Sequence, residues 1–230
     1  MNKHMLFVLW GLVLSLFSTS SFAMPYRYTL CDQEGITCMQ VQQGDTWYDL
    51  WPDERERDVV MRLNRMNTGL RPGMVIAVPD DLNSLDRMAI SPFSFQISAP
   101  GRRLIIVDPK RLAWGAYDAS GQLVNWGPAS SGQGYCPDVH RYCHTPAGSY
   151  SIYNKRGYEC KSTKFPVGVG GAPMPYCMFF KGGYALHGSP FVPGANASHG
   201  CIRLFTSDAR WLNQEFVGGA GDTKVVVYHY

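Results

Sequence analysis

Charge is what this 230-residue sequence has least of. Asp, Glu, Lys and Arg make up 17% of it, and 21 basic against 18 acidic residues leave a net +3. The basic residues form neither a run nor a stripe, which argues against nucleic acid as the main partner. Long apolar segments are also missing. Met5 to Phe17 is the one extended stretch, interrupted by Gly11 and Ser15 and short of the ~20 residues a membrane helix needs. There is no internal repeat and no low-complexity tract. With 45% hydrophobic residues the chain can bury a core, so disorder is excluded, and the length suits one large domain or two small ones.

What is present begins with a leader. Lys3 and His4 precede the apolar stretch, and Ser21-Phe22-Ala23 is a small-x-small cleavage site. Cleavage after Ala23 gives an exported chain with no stable membrane span; the rival reading is an uncleaved anchor. The residue after the cleavage point is Met24 and not a cysteine, so lipid attachment there is not indicated. Export fits the cysteine count. Of Cys31, Cys38, Cys136, Cys143, Cys160, Cys177 and Cys201, six can pair in an oxidising compartment and one is left over. Six cysteines allow fifteen pairings, and proximity favours Cys31–Cys38, Cys136–Cys143 and Cys160–Cys177. A zinc site built from Cys136, His140, Cys143 and His144 is the competing reading, although that spacing fits no common zinc motif well.

The chemistry gathers near the C-terminal end. His187-Gly188-Ser189 is followed by Ser198-His199-Gly200-Cys201-Ile202-Arg203-Leu204. A thiol is a nucleophile only as thiolate, and an unperturbed cysteine with a pKa of ~8.5 needs a base or positive surroundings. His187, on a different segment, is the better candidate base. His199, two residues from Cys201, reads as a shaping or orienting residue. The backbone around Gly200 and Cys201 is the candidate oxyanion hole. Arg203 has two readings, a clamp for a substrate carboxylate or a loop-holding group. Ser198 reads as a loop hydrogen-bonder. Taken singly, each histidine is more often structural, and a lone cysteine more often buried or disulfide-bonded; the cluster is what points to catalysis.

The run Ser-His-Gly-Cys-Ile-Arg, with a His-Gly upstream, resembles the signature of L,D-transpeptidases, cysteine enzymes that act on bacterial peptidoglycan. Ser198 follows His187 by eleven positions (198 − 187), and many members have a few more, so the loop Pro190 to Ala197 is a short version. Ser130-Ser131-Gly132 and Thr145-Pro146-Ala147-Gly148 add to the resemblance. It implies Cys201 as nucleophile and His187 as its base. The thiolate would attack the third residue of a stem tetrapeptide, release D-alanine and leave a thioester. An amine then captures the thioester, either from another stem to form a 3–3 cross-link or from an envelope protein. No metal or organic cofactor is implied, and the location would be periplasm or cell envelope. Hydrolysis by a carboxypeptidase or amidase uses the same pair. A non-enzymatic wall-binding protein is the third reading, with the intact cysteine and histidines against it.

The segments follow from this. Residues 1–23 are the leader and 24–40 a lead-in. In 41–79, Val41-Gln-Gln-Gly-Asp-Thr, Leu63-Asn64 and Leu70-Arg-Pro-Gly-Met-Val-Ile-Ala-Val-Pro79 resemble a LysM domain, a small βααβ unit that binds glycan; its middle, Trp51 to Asp58, departs from the usual pattern. The structural alternative is a cap on the enzyme. As a glycan-binding tether, the unit should be removable without loss of catalysis on short peptides. Residues 80–101 read as linker and lead-in strand. From 102 to 230 the pattern is mainly β, implying an L,D-transpeptidase-type sandwich or barrel with a short helix from Asp208 to Phe216. Apolar runs at Leu104–Val107, Leu112–Tyr117 and Leu123–Trp126 are its first strands, with turn residues between them.

Overall fold

The computed structural model describes residues 26–166 and 168–230; the leader read over residues 1–23 lies outside them. No helix of the described residues is long and apolar enough to cross a membrane.

The N-terminal unit is built in the order strand, helix, helix, strand. A disulfide joins Cys31 to Cys38, within β1 (Ile36–Gln40). Helix α1 (Trp47–Leu50) is capped by Thr46, whose hydroxyl accepts from the Asp49 amide. Helix α2 (Glu54–Leu63) is capped by Asp53, which accepts from the Glu56 amide. Strand β2 (Val75–Pro79) pairs antiparallel with β1, setting Cys38 opposite Ala77. Trp47, Trp51, Val60, Met66 and Ile76 form the core between helices and sheet. The first strand lies upstream of residue 41, in the stretch read as a lead-in. Its sequence, Ile-Thr-Cys-Met-Gln, alternates too weakly to read as a strand, and the disulfide and the pairing with β2 fix it instead.

The larger unit contributes β3 (Leu104–Asp108), β4 (Ala113–Tyr117) and β5 (Leu123–Ser130), then a small hairpin of β6 (Tyr135–Cys136) and β7 (Arg141–Tyr142). There follow β8 (Gly148–Ser151), β9 (Asn154–Lys155), β10 (Met178–Lys181), β11 (Tyr184–Gly188) and β12 (Ile202–Leu204). Helix α3 (Thr206–Trp211) continues as a π turn to Phe216, and β13 (Lys224–Val227) closes the unit. Nine strands form one sheet in the order β8-β13-β3-β4-β5-β12-β11-β10-β9. Strand β10 also packs against β8, so the sheet curls. This is the mainly β architecture expected.

All five residues of β3 are buried because both faces of the sheet are covered. Ile105 and Val107 face a core with Trp114, Leu186, Ile202 and Leu212. Leu104 and Ile106 face a second core with Tyr117, Trp126 and Phe93. Phe93 belongs to the stretch read as a linker. That stretch is a packed strap: the Phe95 carbonyl accepts from the Leu123 amide at 2.8 Å and the Ile97 amide donates to the Gly121 carbonyl at 2.9 Å. Its polar, Pro-punctuated sequence hides a pairing made with a hairpin more than twenty residues downstream.

The two units are joined through a buried ion pair. The Arg62 guanidinium, on α2, donates to both Asp208 carboxylate oxygens, on α3, at 3.0 and 2.6 Å. It also reaches the Trp126 carbonyl at 3.0 Å and Asp58 at 2.7 Å. Both partners are almost fully buried, Arg62 at 2% exposure and Asp208 at 3%. Burial alone would lower the Arg62 pKa, but the charges and hydrogen bonds of Asp208 and Asp58 push it well up. Gly127 makes room for the pair, since a Cβ there would collide with the Asp208 carboxylate and lie 2.6 Å from Arg62 Nη1. Beside it, Arg65 lies 4.8 Å over the Trp126 ring. The ion pair thus fixes the N-terminal unit against the larger one through buried charge.

Candidate active site

The site sits where β11 and β12 run parallel, beside the central strand β5 of the curled sheet. Their register sets His187 directly beside Arg203. Cys201 precedes Arg203 by two residues, so the pleat returns it to the same face. Accordingly, Cys201, His187 and Arg203 line one cleft of about 380 Å3, with Phe165, Met174 and Phe191 as its apolar walls.

His187 is buried, and its Nδ1 lies 2.9 Å from the Gly188 carbonyl. Burial lowers its pKa to about 4, opposed by that hydrogen bond and reinforced by the positive Arg203. The imidazole is therefore neutral at pH 7. Donation from Nδ1 to the carbonyl leaves the lone pair on Nε2, the form a general base requires. Cys201 is the free cysteine of the described residues. Burial pushes its thiol up, against a smaller lowering from a backbone hydrogen bond and from Arg203. In this state the thiol lies 3.6 Å from the Gly183 carbonyl, and no hydrogen bond joins it to His187 among the described residues. The resting pair is thus neutral thiol and neutral imidazole. Arg203 carries a charge that no carboxylate meets among the described residues; its guanidinium lies 5.6 Å over the Phe191 ring.

The Ser198–Cys201 turn is held from inside and from below. Ser198 Oγ accepts from the Gly200 amide at 3.0 Å and donates to the Cys201 carbonyl. The Gly200 N–H, expected as an oxyanion donor, is thereby engaged within the turn. Thr145 Oγ1 donates to the Gly200 carbonyl at 2.7 Å and accepts from the Gly132 amide. The Tyr230 hydroxyl in turn accepts from the Thr145 amide at 3.0 Å and donates to the Gly132 carbonyl at 2.7 Å. Gly200 has φ +127°, and a Cβ there would lie 2.5 Å from the Tyr184 ring, so glycine is required on both counts. His199 lines the cleft with Cys201, with Nε2 2.7 Å from Asp138 and its ring stacked on Phe165.

Two disulfides frame this region, Cys136–Cys143 in the small hairpin and Cys160–Cys177 around the segment carrying Phe165 and Met174. Along with Cys31–Cys38 they are the three pairs that proximity favours. They overturn the zinc reading, because Cys136 and Cys143 are bonded to one another. Cys136, Asp138 and His199 do come together, yet the Cys136 sulfur is already spent.

Over residues 102–227 the chain matches the family model of the L,D-transpeptidase catalytic domain. That span is more than half of the chain. The chain belongs to the L,D-transpeptidase catalytic-domain family. Among solved structures, an L,D-transpeptidase from Xylanimonas cellulosilytica is 23% identical at a TM-score of 0.56, covering 83% of this chain and 98% of that one. One from Mycobacterium smegmatis is 20% identical at TM-score 0.44, covering 56% and 59%. L,D-transpeptidase 3 from Mycobacterium tuberculosis is 21% identical at TM-score 0.45, covering 56% and 61%. The chain thus spans about three-fifths of the two mycobacterial structures. No curated protein matches the chain's sequence. At such identities the Xylanimonas structure supports the shared L,D-transpeptidase fold.

Sequence reasoning missed how the loop Pro190 to Ala197 of the L,D-transpeptidase domain is held. Asn67, from the N-terminal unit, donates to the Ser189 carbonyl at 2.9 Å and accepts from the Val192 amide at 2.8 Å. Its own amide donates to the Val192 carbonyl at 2.9 Å. Ser130 Oγ donates to the Ala195 carbonyl at 2.7 Å from the opposite side. Nothing local in the sequence marks Asn67, because its partners lie over a hundred residues away. For Thr145 a signal existed in the Thr-Pro-x-Gly run, whereas Tyr230 carried none.

Proposed function

We propose that this protein is an exported L,D-transpeptidase that acts on peptidoglycan stem peptides through a thioester on Cys201. The observation that carries the reading is the meeting of Cys201, a neutral His187 and an unpaired Arg203 in one cleft of a domain of this family. His187 Nε2 takes the thiol proton as sulfur attacks the carbonyl of the third stem residue, and later returns it to the leaving D-alanine amine. Since the resting thiol is held protonated, substrate must bring the pair together before transfer. Arg203 receives a substrate carboxylate. The Cys201 backbone, with Gly200 once it releases Ser198, carries the oxyanion. Three disulfides suit an oxidising location outside the cytoplasm, in periplasm or envelope. The N-terminal unit binds glycan strands, a reading supported by its sequence resemblance to LysM and by its βααβ order.

Transfer to an amine is favoured over hydrolysis, because apolar walls at Phe165, Met174 and Phe191 exclude water from the thioester. The full-length oxidised protein is to be incubated with tetrapeptide fragments and followed by intact-protein and product mass spectrometry. A covalent acyl adduct that vanishes in Cys201→Ala is expected, with loss of turnover by orders of magnitude. Cross-linked dimers or exchange of the terminal D-alanine establish transfer. Tripeptides alone, even with abundant acceptor amine, make it a hydrolase, and an adduct that persists in Cys201→Ala places the nucleophile elsewhere.

A further inference from the structure

Among the described residues the Arg203 guanidinium makes no hydrogen bond and no ion pair. The contact that locates it is the Phe191 ring, whose centroid lies 5.6 Å away. A charged head on a long, flexible stem is placed only as well as its partner is placed. Phe191 is itself 46% exposed, so packing alone does not fix it. Its backbone is what is fixed. The Phe191 amide donates to Ser189 Oγ at 3.0 Å. On either side of it, the Ser189 carbonyl and the Val192 amide are both bonded to the Asn67 side chain, and the Val192 carbonyl to the Asn67 amide. Asn67 in turn has a rigid seat in the N-terminal unit. Asn64, at the end of α2, donates to the Val60 and Ala77 carbonyls and accepts from the Ala77 amide. Arg65 turns the chain at φ +57°. Met66 is buried in the N-terminal core while its backbone bridges to Pro193. Gly194 completes the contact, with φ +72° and room for a Cβ only 3.0 Å from the Asn64 carbonyl oxygen.

We infer that Asn67 is a positioning residue for the donor peptide: through the Ser189–Val192 turn it sets the Phe191 ring, and through that ring the Arg203 guanidinium. The preference for a donor that ends in a carboxylate then depends on a residue of the N-terminal unit. This rests on the reading above in which Arg203 receives a substrate carboxylate. Ser189, Phe191 and Arg203 line the cleft with Cys201, and Asn67 stands behind them, outside its lining. Asn67 therefore acts through the turn and not on the reacting atoms. Removing its side chain deletes two of the three hydrogen bonds that clamp the turn. The ring is then free to swing, and the guanidinium must be ordered by the substrate at each binding event, which weakens binding. The N-terminal unit thus contributes to donor choice independently of any glycan it binds.

The test measures acylation of the full-length oxidised protein by a tetrapeptide and by the same peptide ending in a carboxamide. Wild type should favour the free acid by about tenfold in kcat/KM, as one charge-assisted contact gives. In Asn67→Ala the ratio should fall toward one, the loss appearing as a raised KM for the acid. Phe191→Leu, at a half-exposed position, should lose the preference equally. The double variant should be no worse than either single one, because both break the same chain of contacts. A second measurement needs no turnover. The rate at which iodoacetate alkylates Cys201, relative to iodoacetamide and scaled to the same ratio for free cysteine, should fall severalfold in Asn67→Ala and in Phe191→Leu. If no thioester ever forms, the functional reading fails and the alkylation ratio still decides the role of Asn67. A wild type without the preference, a preference that survives Asn67→Ala, or an equal loss with both donors overturns the inference. So do additive losses in the double variant, or an alkylation ratio that Asn67→Ala leaves unchanged.

Discussion

The two flanks of the active site are held by opposite means. On the side of the N-terminal unit, the loop Pro190 to Ala197 is gripped by the half-buried Asn67, and the units are locked by the almost fully buried Arg62–Asp208 pair. On the other side, the hairpin and the segment around Phe165 are framed by two disulfides, and their polar contact to the site is the half-exposed His199–Asp138 pair. A buried ion pair depends on both partners, because either one alone is a desolvated charge. A covalent clasp needs no such match, and on that side Arg141, Arg156, Lys161 and Lys164 have no carboxylate within 4.0 Å among the described residues. The difference teaches that the wall next to the N-terminal unit is fixed by buried polar contacts, whereas the far wall is fixed covalently.

The largest expected effect breaks the buried flank. Arg62→Met strands Asp208 in the interior and should cost about 3–5 kcal/mol of stability, read as a lower urea midpoint. Arg62→Met/Asp208→Leu should recover most of it. A single variant no weaker than wild type would show that the pair is not the lock described here.

Between the flanks sits His187, and its protonation sharpens the comparison. Its pKa is near 6.5 in the unfolded chain and about 4 when folded. Above pH 6.5 both states are neutral there and nothing is lost. As pH falls from 6.5 toward 4 the unfolded chain takes a proton that the folded one refuses, so stability declines by roughly 3 kcal/mol and then levels. Denaturant titrations at stepped pH should show that decline, and His187→Gln should flatten it. An imidazole resonance titrating near 6.5 in the folded protein would contradict it. The smallest effect belongs to the exposed flank: His199→Ala should change stability by no more than about 1 kcal/mol and reduce turnover far less than His187→Ala. Parity of the two histidine variants in turnover would erase the distinction drawn here.

Much of the site was legible because its chemistry is contiguous. Ser198 to Arg203 is a single run, and His187 ends a short apolar strand that follows the Lys181-Gly182-Gly183 turn, so residue type and order sufficed. The strands at Leu104, Leu112 and Leu123 were legible for a similar reason, each being a short apolar run between turn residues. Asp208 shows where such reading stops. An acid in the first turn of a helix looks like a complement to the helix dipole, yet here it faces an arginine 146 residues earlier. Phe93 looked like linker because its packing partners, Gly115 and Leu123, come later in the chain. Arg141, Arg156, Lys161 and Lys164 line one cleft beside Cys201 from separate stretches of the chain, and no run of basic residues announces it.

The cysteines carry one more consequence, for how the chain is made. Each disulfide joins the next cysteine along the sequence, with separations of 7, 7 and 17 residues. A chain that emerges N-terminus first can close each of these short loops before the following pair appears, at little entropic expense. Cys201 emerges last, so each of the other six can have met its sequential partner first. That order would leave Cys201 with no neighbouring thiol to pair with.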